Sequence, residues 1–515
     1  MLFNSFEFLI FLAVTFALYY APWSRGRHGK AWQVTTALVA SVIFYGWEDP
    51  KLIGLLAISC VGNSVATARI ILHKVNGDED QVRNWTRRAV IMNLALLGFF
   101  KYLPFLAGMI PFLPAGWAQA IKNIPLPIGI SFYTFHGISM IVDVARGQVT
   151  RESDTLLSKG GRFTKGVRDI GFYLLFFPQL VAGPIVKAKD FWPQIQAKRI
   201  HDIPWQLVIR SLITGYFLKI FVADNLSEQT AGLTLGATSL LASSPLNLLP
   251  LLYGYTLQIF ADFAGYSLIA IGLAAMFGYR FPTNFNFPYL STSITEFWRR
   301  WHMSLSGWLR DYLYIPLGGN RKGPARTYLN LFLVMFLGGL WHGAEWKFAL
   351  WGSLHGLFLG LERFGAGSKF WILNFKFWIK EPKGSAESNF SSSSTFNIQH
   401  PTFKIAVTSV KWIFTFHIVT ALWLTFLMPD MASVLAFFKA LFNGRTGFAG
   451  PPIFSLLFYG SAVVLYHAWG WLQEHRQPFA QKLSRSPIEP LLHGIMLFLI
   501  LTNPGAPRGF IYFQF

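Results

Sequence analysis

Thirteen runs of apolar residues limit this fold most strongly, many of them close to the ~20 residues that a spanning helix needs. They lie at 5–23, 32–46, 52–71, 90–113, 124–144, 170–186, 206–222, 247–278, 328–346, 348–362, 405–428, 452–472 and 488–503. A bilayer offers the backbone no water, so each such run must satisfy its own N–H and C=O groups, and helices do so. The expectation is an all-α polytopic membrane protein of about 11–13 membrane segments in one domain spanning residues 1–515. The short runs at 32–46, 170–186 and 348–362 are expected to be tilted, buried or re-entrant. Composition agrees: 53% of residues are hydrophobic and only 13% are charged, about half the ~25% usual for soluble domains. A water-soluble globular enzyme and a disordered chain are both excluded.

Charge orders the runs. The 44 Lys and Arg outweigh 24 Asp and Glu, leaving +20, but they sit in short clusters between apolar runs. That is how membrane proteins set orientation; it does not indicate nucleic-acid binding. Residues 1–23 hold no Lys or Arg, and the first run reads as a retained helix, since no basic residue precedes it and no small-residue cleavage site follows. Arg25, Arg27 and Lys30 follow, then the nearly neutral 47–51, then Lys74, Arg83, Arg87 and Arg88. Continued to the end, this alternation places both termini outside and the basic loops in the cytoplasm. Segment 170–186 breaks it, being basic on both sides. Its FFPQLVAGPIV core carries prolines and a glycine, so it is expected to enter and leave on one face, buried in protein. The polar, Ser-rich stretch 365–403 reads as a cytoplasmic loop.

Two stretches carry candidate chemistry. Residues 284–323 mix Trp298, Trp301 and Trp308 with Glu296, Arg299, Arg300, His302, Arg310 and Asp311. Such a mixture suits a helix lying in the membrane interface. It also suits a cytoplasmic mouth for an anionic ligand, with arginine forks for phosphate and indole faces for an adenine or a headgroup. Residues 337–356, LGGLWHGAEWKFALWGSLHG, set His342 near the outer end of an apolar run beside Gly338, Gly339 and Gly343. An ionisable group within the bilayer is costly and marks a functional site by default. His136 and His355 read as structural. Lys101, Asp143, Lys219, Asp224 and Asp262 also lie in apolar surroundings. Asp262 is best placed to orient a partner, while Asp143 and Asp224 are expected to reach the interface. A lone Cys60 excludes an internal disulfide and cysteine-based zinc. The spacing of His342, Glu345 and His355 fits no H-E-x-x-H pattern, so no metal is expected.

The stretches SITEFWRRWHMSLSGWLRDYLYIPLGGNRKG and LGGLWHGAEWKFALWGSLHG resemble the membrane-bound O-acyltransferase family, and above all its bacterial alginate- and peptidoglycan-O-acetylating branch. The likeness runs nearly end to end, through MLFNSFEFLIFL, LPIGISFYTFHGISMIVDVARG, QIFADFAGYSLIAIGL and the terminal FIYFQF. Leu268 departs from the pattern, since relatives often place an acidic residue there. The resemblance implies a helix bundle around a central tunnel in the bacterial inner membrane. Its hallmark histidine falls on His342, and its second polar site falls on His302 with Asp311 nearby. It further implies acetyl transfer from a cytoplasmic thioester to a polysaccharide beyond the membrane, relayed by a periplasmic acetyltransferase partner. Acetyl-CoA is then a donor substrate, and no tightly bound cofactor is expected.

Combined with the charge reading, the two histidines are expected toward opposite ends of one path. His342 would be the general base, a neutral imidazole being suited to take a hydroxyl proton, with a transient acyl-histidine as the alternative. His302 would align the thioester, Arg299, Arg300 and Arg310 would meet the CoA phosphates, and Trp298 and Trp301 its ring. Asp311 and Asp262 would support. Two other classes compete: a transporter of polysaccharide or lipid intermediates, disfavoured because no inverted repeat is visible, and a non-catalytic membrane scaffold, disfavoured by the intact histidines.

Overall fold

The computed structural model describes residues 1–26, 28–149, 163–180, 183–234, 236–367, 401–447, 453–506 and 509. Most of the Ser-rich stretch and the terminal FIYFQF lie outside them. The described residues are helical, with no strand among them. Among the described residues, six helices are long and apolar enough to cross a membrane: Leu52–Val75, Glu79–Ala107, Trp205–Thr234, Pro245–Met276, Ile405–Leu427 and Ile453–His475. Phe6–Tyr19, Ile130–Ala145, Met431–Ala440 and Ile488–Thr502 are shorter apolar helices. More polar runs such as Gly29–Gly46, Gly323–His342 and Trp346–Gly367 complete a polytopic membrane protein. Local sequence starts several of them. The Ser5 and Asp78 side chains accept from the N–H groups of Phe8 and Gln81, satisfying donors that the first turn leaves open.

Contacts between loops sort the helix ends into two sets. In one set, Lys74 Nζ donates to the carbonyls of Val144 and Ala145 at 3.2 and 3.0 Å, and Arg146 donates to that of Asp311. Gln33 and Lys198 exchange two hydrogen bonds, as do Gln194 and Arg280. In the other set, the Met1 amino group pairs with Glu48 at 2.9 Å, the Gly505 N–H reaches the Ile220 carbonyl, and the Ala506 N–H reaches Glu228. The first set joins the basic loops to one another. The second joins the loops that are poor in Lys and Arg.

Two stretches do not span. Near the start of the first, Lys30 approaches Asp169 at 4.0 Å. The Phe177 N–H then meets Ser41 Oγ at 3.0 Å, well along Gly29–Gly46, and the chain returns to Gln33 through Lys198. It enters and leaves on one face, and every residue from Ile170 to Leu180 is buried. Protein therefore replaces the water that the interrupted backbone at Pro178 would need.

The second stretch departs from the expectation of a helix lying in the interface. Residues 301–309 plunge into the bundle: His302 is 0% exposed, and its ring meets Phe263, midway along Pro245–Met276, edge-on at 4.6 Å. Carboxylates make the descent possible. Glu362 accepts from the Ile294 and Thr295 N–H groups, and Arg300 pairs with both Glu296 and Glu474. The two non-spanning stretches meet where the Ile185 N–H donates to Ser304 Oγ at 2.9 Å.

Candidate active site

His342 is the last residue of Gly323–His342, and glycines set its position. A Cβ on Gly339 would stand 2.2 Å from the Phe348 carbonyl oxygen, and one on Gly352 would stand 2.2 Å from that of Met335. The helices Gly323–His342 and Trp346–Gly367 therefore touch backbone to backbone, as small residues allow in membranes. The final carbonyls of a helix have no partner within it. Here Lys101 Nζ donates to those of Trp341 and His342 at 2.5 and 3.1 Å, and Tyr102 Oη donates to that of Leu340 at 3.0 Å. Lys101 and Tyr102 belong to a wide turn, Gly98–Tyr102, with π-helical bonding, a distortion frequent at functional sites. An ammonium at a helix C-terminus also complements the dipole.

The His342 ring, 4% exposed, lies among Trp341, Trp351 and Phe426 at centroid distances of 5.0, 5.2 and 5.4 Å. His302 lies 6.1 Å from the same Trp341 indole. The two histidines thus flank one ring instead of standing toward opposite ends of a path. The cause is the descent of 301–309, which carries His302 from the basic face into the bundle.

His302 begins the helix Met303–Leu309 with φ 44° and ψ 51°, a left-handed conformation unusual outside glycine. Asn284 holds it: Asn284 Oδ1 contacts His302 Nδ1 at 3.0 Å and accepts from Ser304 Oγ at 2.8 Å, while Asn284 Nδ2 donates to Ser267 Oγ at 2.9 Å. His355, expected to be structural, stands in the same group of rings. It receives the Trp298 indole N–H at 3.3 Å and packs on Trp351 at 4.8 Å. His302 Nε2, His355 Nε2, Trp341 Nε1 and Trp351 Nε1 are buried without a hydrogen-bond partner among the described residues.

The other expected residues are placed differently. Asp311 does not meet His302. It lies beyond the far end of Met303–Leu309 and pairs with Lys187 at 2.6 Å and Arg310 at 2.8 Å. Burial would raise its carboxyl, but the bonds and charges from Arg310 and Lys187 prevail and hold it below the usual range. Asp262 pairs with Lys219 at 2.7 Å, as does Asp224. Asp143 and Asp224 are buried in protein; Asp143 accepts from Tyr312 Oη at 2.7 Å. Trp301, 1% exposed, is walled in by Phe260, Phe285, Phe297 and Trp423, and Arg300 pairs with Glu296 and Glu474. Arg299 and Arg310 are exposed. Among the described residues no group of three or more His, Cys, Asp or Glu is placed to hold a metal. The sequence reading gave no role to Asn284, Lys101 or Lys187; only Lys101 stood out, as a charge within an apolar run.

The membrane-bound O-acyltransferase family model matches residues 169–373, which include both histidines. A probable alginate O-acetylase of Azotobacter vinelandii is 39% identical over 379 residues, 70% of this chain and 69% of the relative. A peptidoglycan O-acetyltransferase of Helicobacter pylori is 31% identical over 463 residues, covering 86% and 80%. A teichoic acid D-alanyltransferase of Bacillus subtilis is 30% identical over 295 residues, covering 54% and 67%. The motifs quoted from the sequence, the polytopic helical fold and relatives matched over most of their length agree: this chain belongs to the membrane-bound O-acyltransferase family and is an acyltransferase.

Proposed function

We propose that the protein takes acetyl groups from cytoplasmic acetyl-CoA and delivers them across the bacterial inner membrane for O-acetylation of an extracytoplasmic polysaccharide, alginate-like or peptidoglycan, through a periplasmic partner. One observation carries the reading: His302 and His342 both stand beside a single buried indole, with buried polar atoms around them that have no partner among the described residues. Buried polar groups are nearly always paired, and a bound acyl donor would supply partners for these. The acetyl group is preferred to D-alanyl because the O-acetylating relatives match more of this chain.

In this reading the acceptor hydroxyl attacks the thioester carbonyl while His342 takes its proton. The C–S bond then breaks, and the proton passes to the departing CoA thiolate. His302, beside the same Trp341 indole, aligns the reacting groups. Arg299 and Arg310 meet the CoA phosphates at the basic face, and Trp298 stands between that face and His355. The basic loops lie in the cytoplasm and both termini outside, so the pairing of Gly505 with Ile220 lies on the outer side. Cysteine placed in 223–246 is then labelled from outside and cysteine in 365–403 only after permeabilisation; the reverse pattern inverts the topology.

The deciding experiment is loss of label from radiolabelled acetyl-CoA by purified protein in sealed vesicles of known orientation. The wild type is expected to consume donor slowly. His342→Ala is expected to lose about a hundredfold or more, the lower range for a general base, while keeping its melting temperature. Equal turnover by the two removes His342 from the chemistry. Silence from the wild type, persisting with partner and acceptor present, favours a transporter or scaffold.

A further inference from the structure

We infer that Asn284 is a positioning residue: it fixes the tautomer of His302, placing the proton on Nδ1 and leaving Nε2 as the bare, proton-accepting atom. Its use in catalysis rests on the acetyl-transfer reading above; the tautomer itself does not.

Hydrogen-bond accounting gives the assignment. The two atoms of a carboxamide end look alike by shape, so their identity must come from their neighbours. The backbone N–H of Ser304 can only donate, and it points at the Asn284 side-chain atom assigned as Oδ1, at 3.3 Å. A flipped amide would set an NH2 against that N–H, so the oxygen must face it. Ser304 Oγ already accepts the Ile185 N–H at 2.9 Å, and its own proton is free to run to Asn284 Oδ1 at 2.8 Å. His302 Nδ1 meets the same oxygen at 3.0 Å. An amide oxygen only accepts, so Nδ1 carries the hydrogen. In a neutral imidazole the second nitrogen is then bare. That nitrogen, Nε2, is buried with no partner among the described residues.

The orientation of Asn284 is itself fixed. Its Nδ2 is tied to Ser267 Oγ on Pro245–Met276, and its backbone carbonyl accepts the Met303 N–H at 2.9 Å. The second bond locks the residue that follows the left-handed His302. Asn284 thus joins the long helix, the turn and the imidazole. Phe263, edge-on to the ring at 4.6 Å, limits its rotation.

The test reads the tautomer directly. Protein labelled with [15N]histidine holds 12 histidines, and the resonances that vanish in His302→Gln identify the one in question. The wild type is expected to show a protonated Nδ1 and a bare Nε2. Asn284→Asp, which keeps the accepting oxygen, is expected to retain the Nδ1–H form and much of the turnover. Asn284→Leu, of similar size but unable to accept, is expected to lose the single tautomer. Its kcat is expected to fall on the order of a hundredfold, with KM for the donor little changed, as for loss of an oriented acid–base group. A proton on Nε2 in the wild type overturns the inference even if no variant folds. An Asn284→Leu protein that keeps wild-type kcat and the Nδ1–H signal overturns it too. If the wild type transfers no acetyl group yet shows the expected tautomer, lost in Asn284→Leu, the acetyl-transfer reading falls and the Asn284 assignment stands.

Discussion

Two of the polar groups buried in this bundle are finished differently. Lys219 stands between Asp224 and Asp262 at 2.7 Å from each, with all three side chains 5% exposed or less. Each carboxylate of that cluster has its cation. Around Trp341, by contrast, His302, His355 and two indoles keep buried atoms without partners among the described residues. An unmade hydrogen bond of this kind costs about 1–3 kcal/mol, so several of them together are expensive to maintain. The paired cluster fits a structural role, holding the π-helical turn Phe217–Ala223 against Pro245–Met276. The unpaired one fits a site that a ligand completes.

Removing a central residue from each group separates these roles most sharply. Lys219→Met leaves two carboxylates buried without their cation and is expected to cost about 3–5 kcal/mol. Poor membrane insertion or a lowered melting temperature would show it. Adding Asp224→Asn and Asp262→Asn is expected to recover much of that loss, because the charges are then gone together. His342→Ala is expected to do the opposite, ending turnover at little cost in stability. If Lys219→Met inserts and melts like the wild type, or if it loses only turnover, the triad belongs with the chemistry and the comparison fails.

Lys101 lies between the two cases, since its charge is spent on backbone beside the site. Lys101→Met frees the carbonyls of Trp341 and His342 at the end of their helix. Hydrogen bonds to a charged group are worth about 1.5–3 kcal/mol, so a moderate fall in melting temperature is expected. The larger effect is on geometry. A slight displacement of His342 is expected to lower kcat on the order of tenfold to a hundredfold, with donor KM little changed. A variant that loses stability but keeps kcat would show that Lys101 caps the helix without aiming His342.

Local features of this chain were legible in its sequence; meetings across long separations were not. Each Lys and Arg cluster reports its own loop, so the grouping of Lys74, Arg146, Lys198 and Arg280 at one set of helix ends followed from alternation alone. The prolines in FFPQLVAGPIV marked a segment that returns to its starting face, and the glycines around His342 marked the close helix pair. Lys101, however, caps a helix 240 residues away, and nothing in its neighbours names that partner. The descent of 301–309 was hidden for a different reason. Arginines and tryptophans look the same in sequence whether a helix rests in the interface or dives with its charges matched. Only Glu362 and Glu474, distant in the chain, distinguish the two cases. Asp311 was set beside His302 by the family resemblance, whereas Lys187 and Arg310 hold it here.

The smallest expected effect tests whether the basic face feeds the histidine site. Arg299 is exposed, and an exposed charge contact is worth about 0.2–1 kcal/mol, roughly a 1.4- to 5-fold change in binding. Arg299→Gln is therefore expected to raise KM for acetyl-CoA by a few-fold at low ionic strength, with kcat and melting temperature unchanged. Salt screens such a contact over about 10 Å at 0.1 M, so at several tenths molar salt the variant and wild type are expected to converge. A KM ratio indifferent to salt would mean that Arg299 acts by packing, and a ratio of one at low salt would move donor entry away from this face. Either result leaves the histidine site intact but loosens its link to the basic loops, and the tie between charge topology and chemistry would then rest on Arg310 alone.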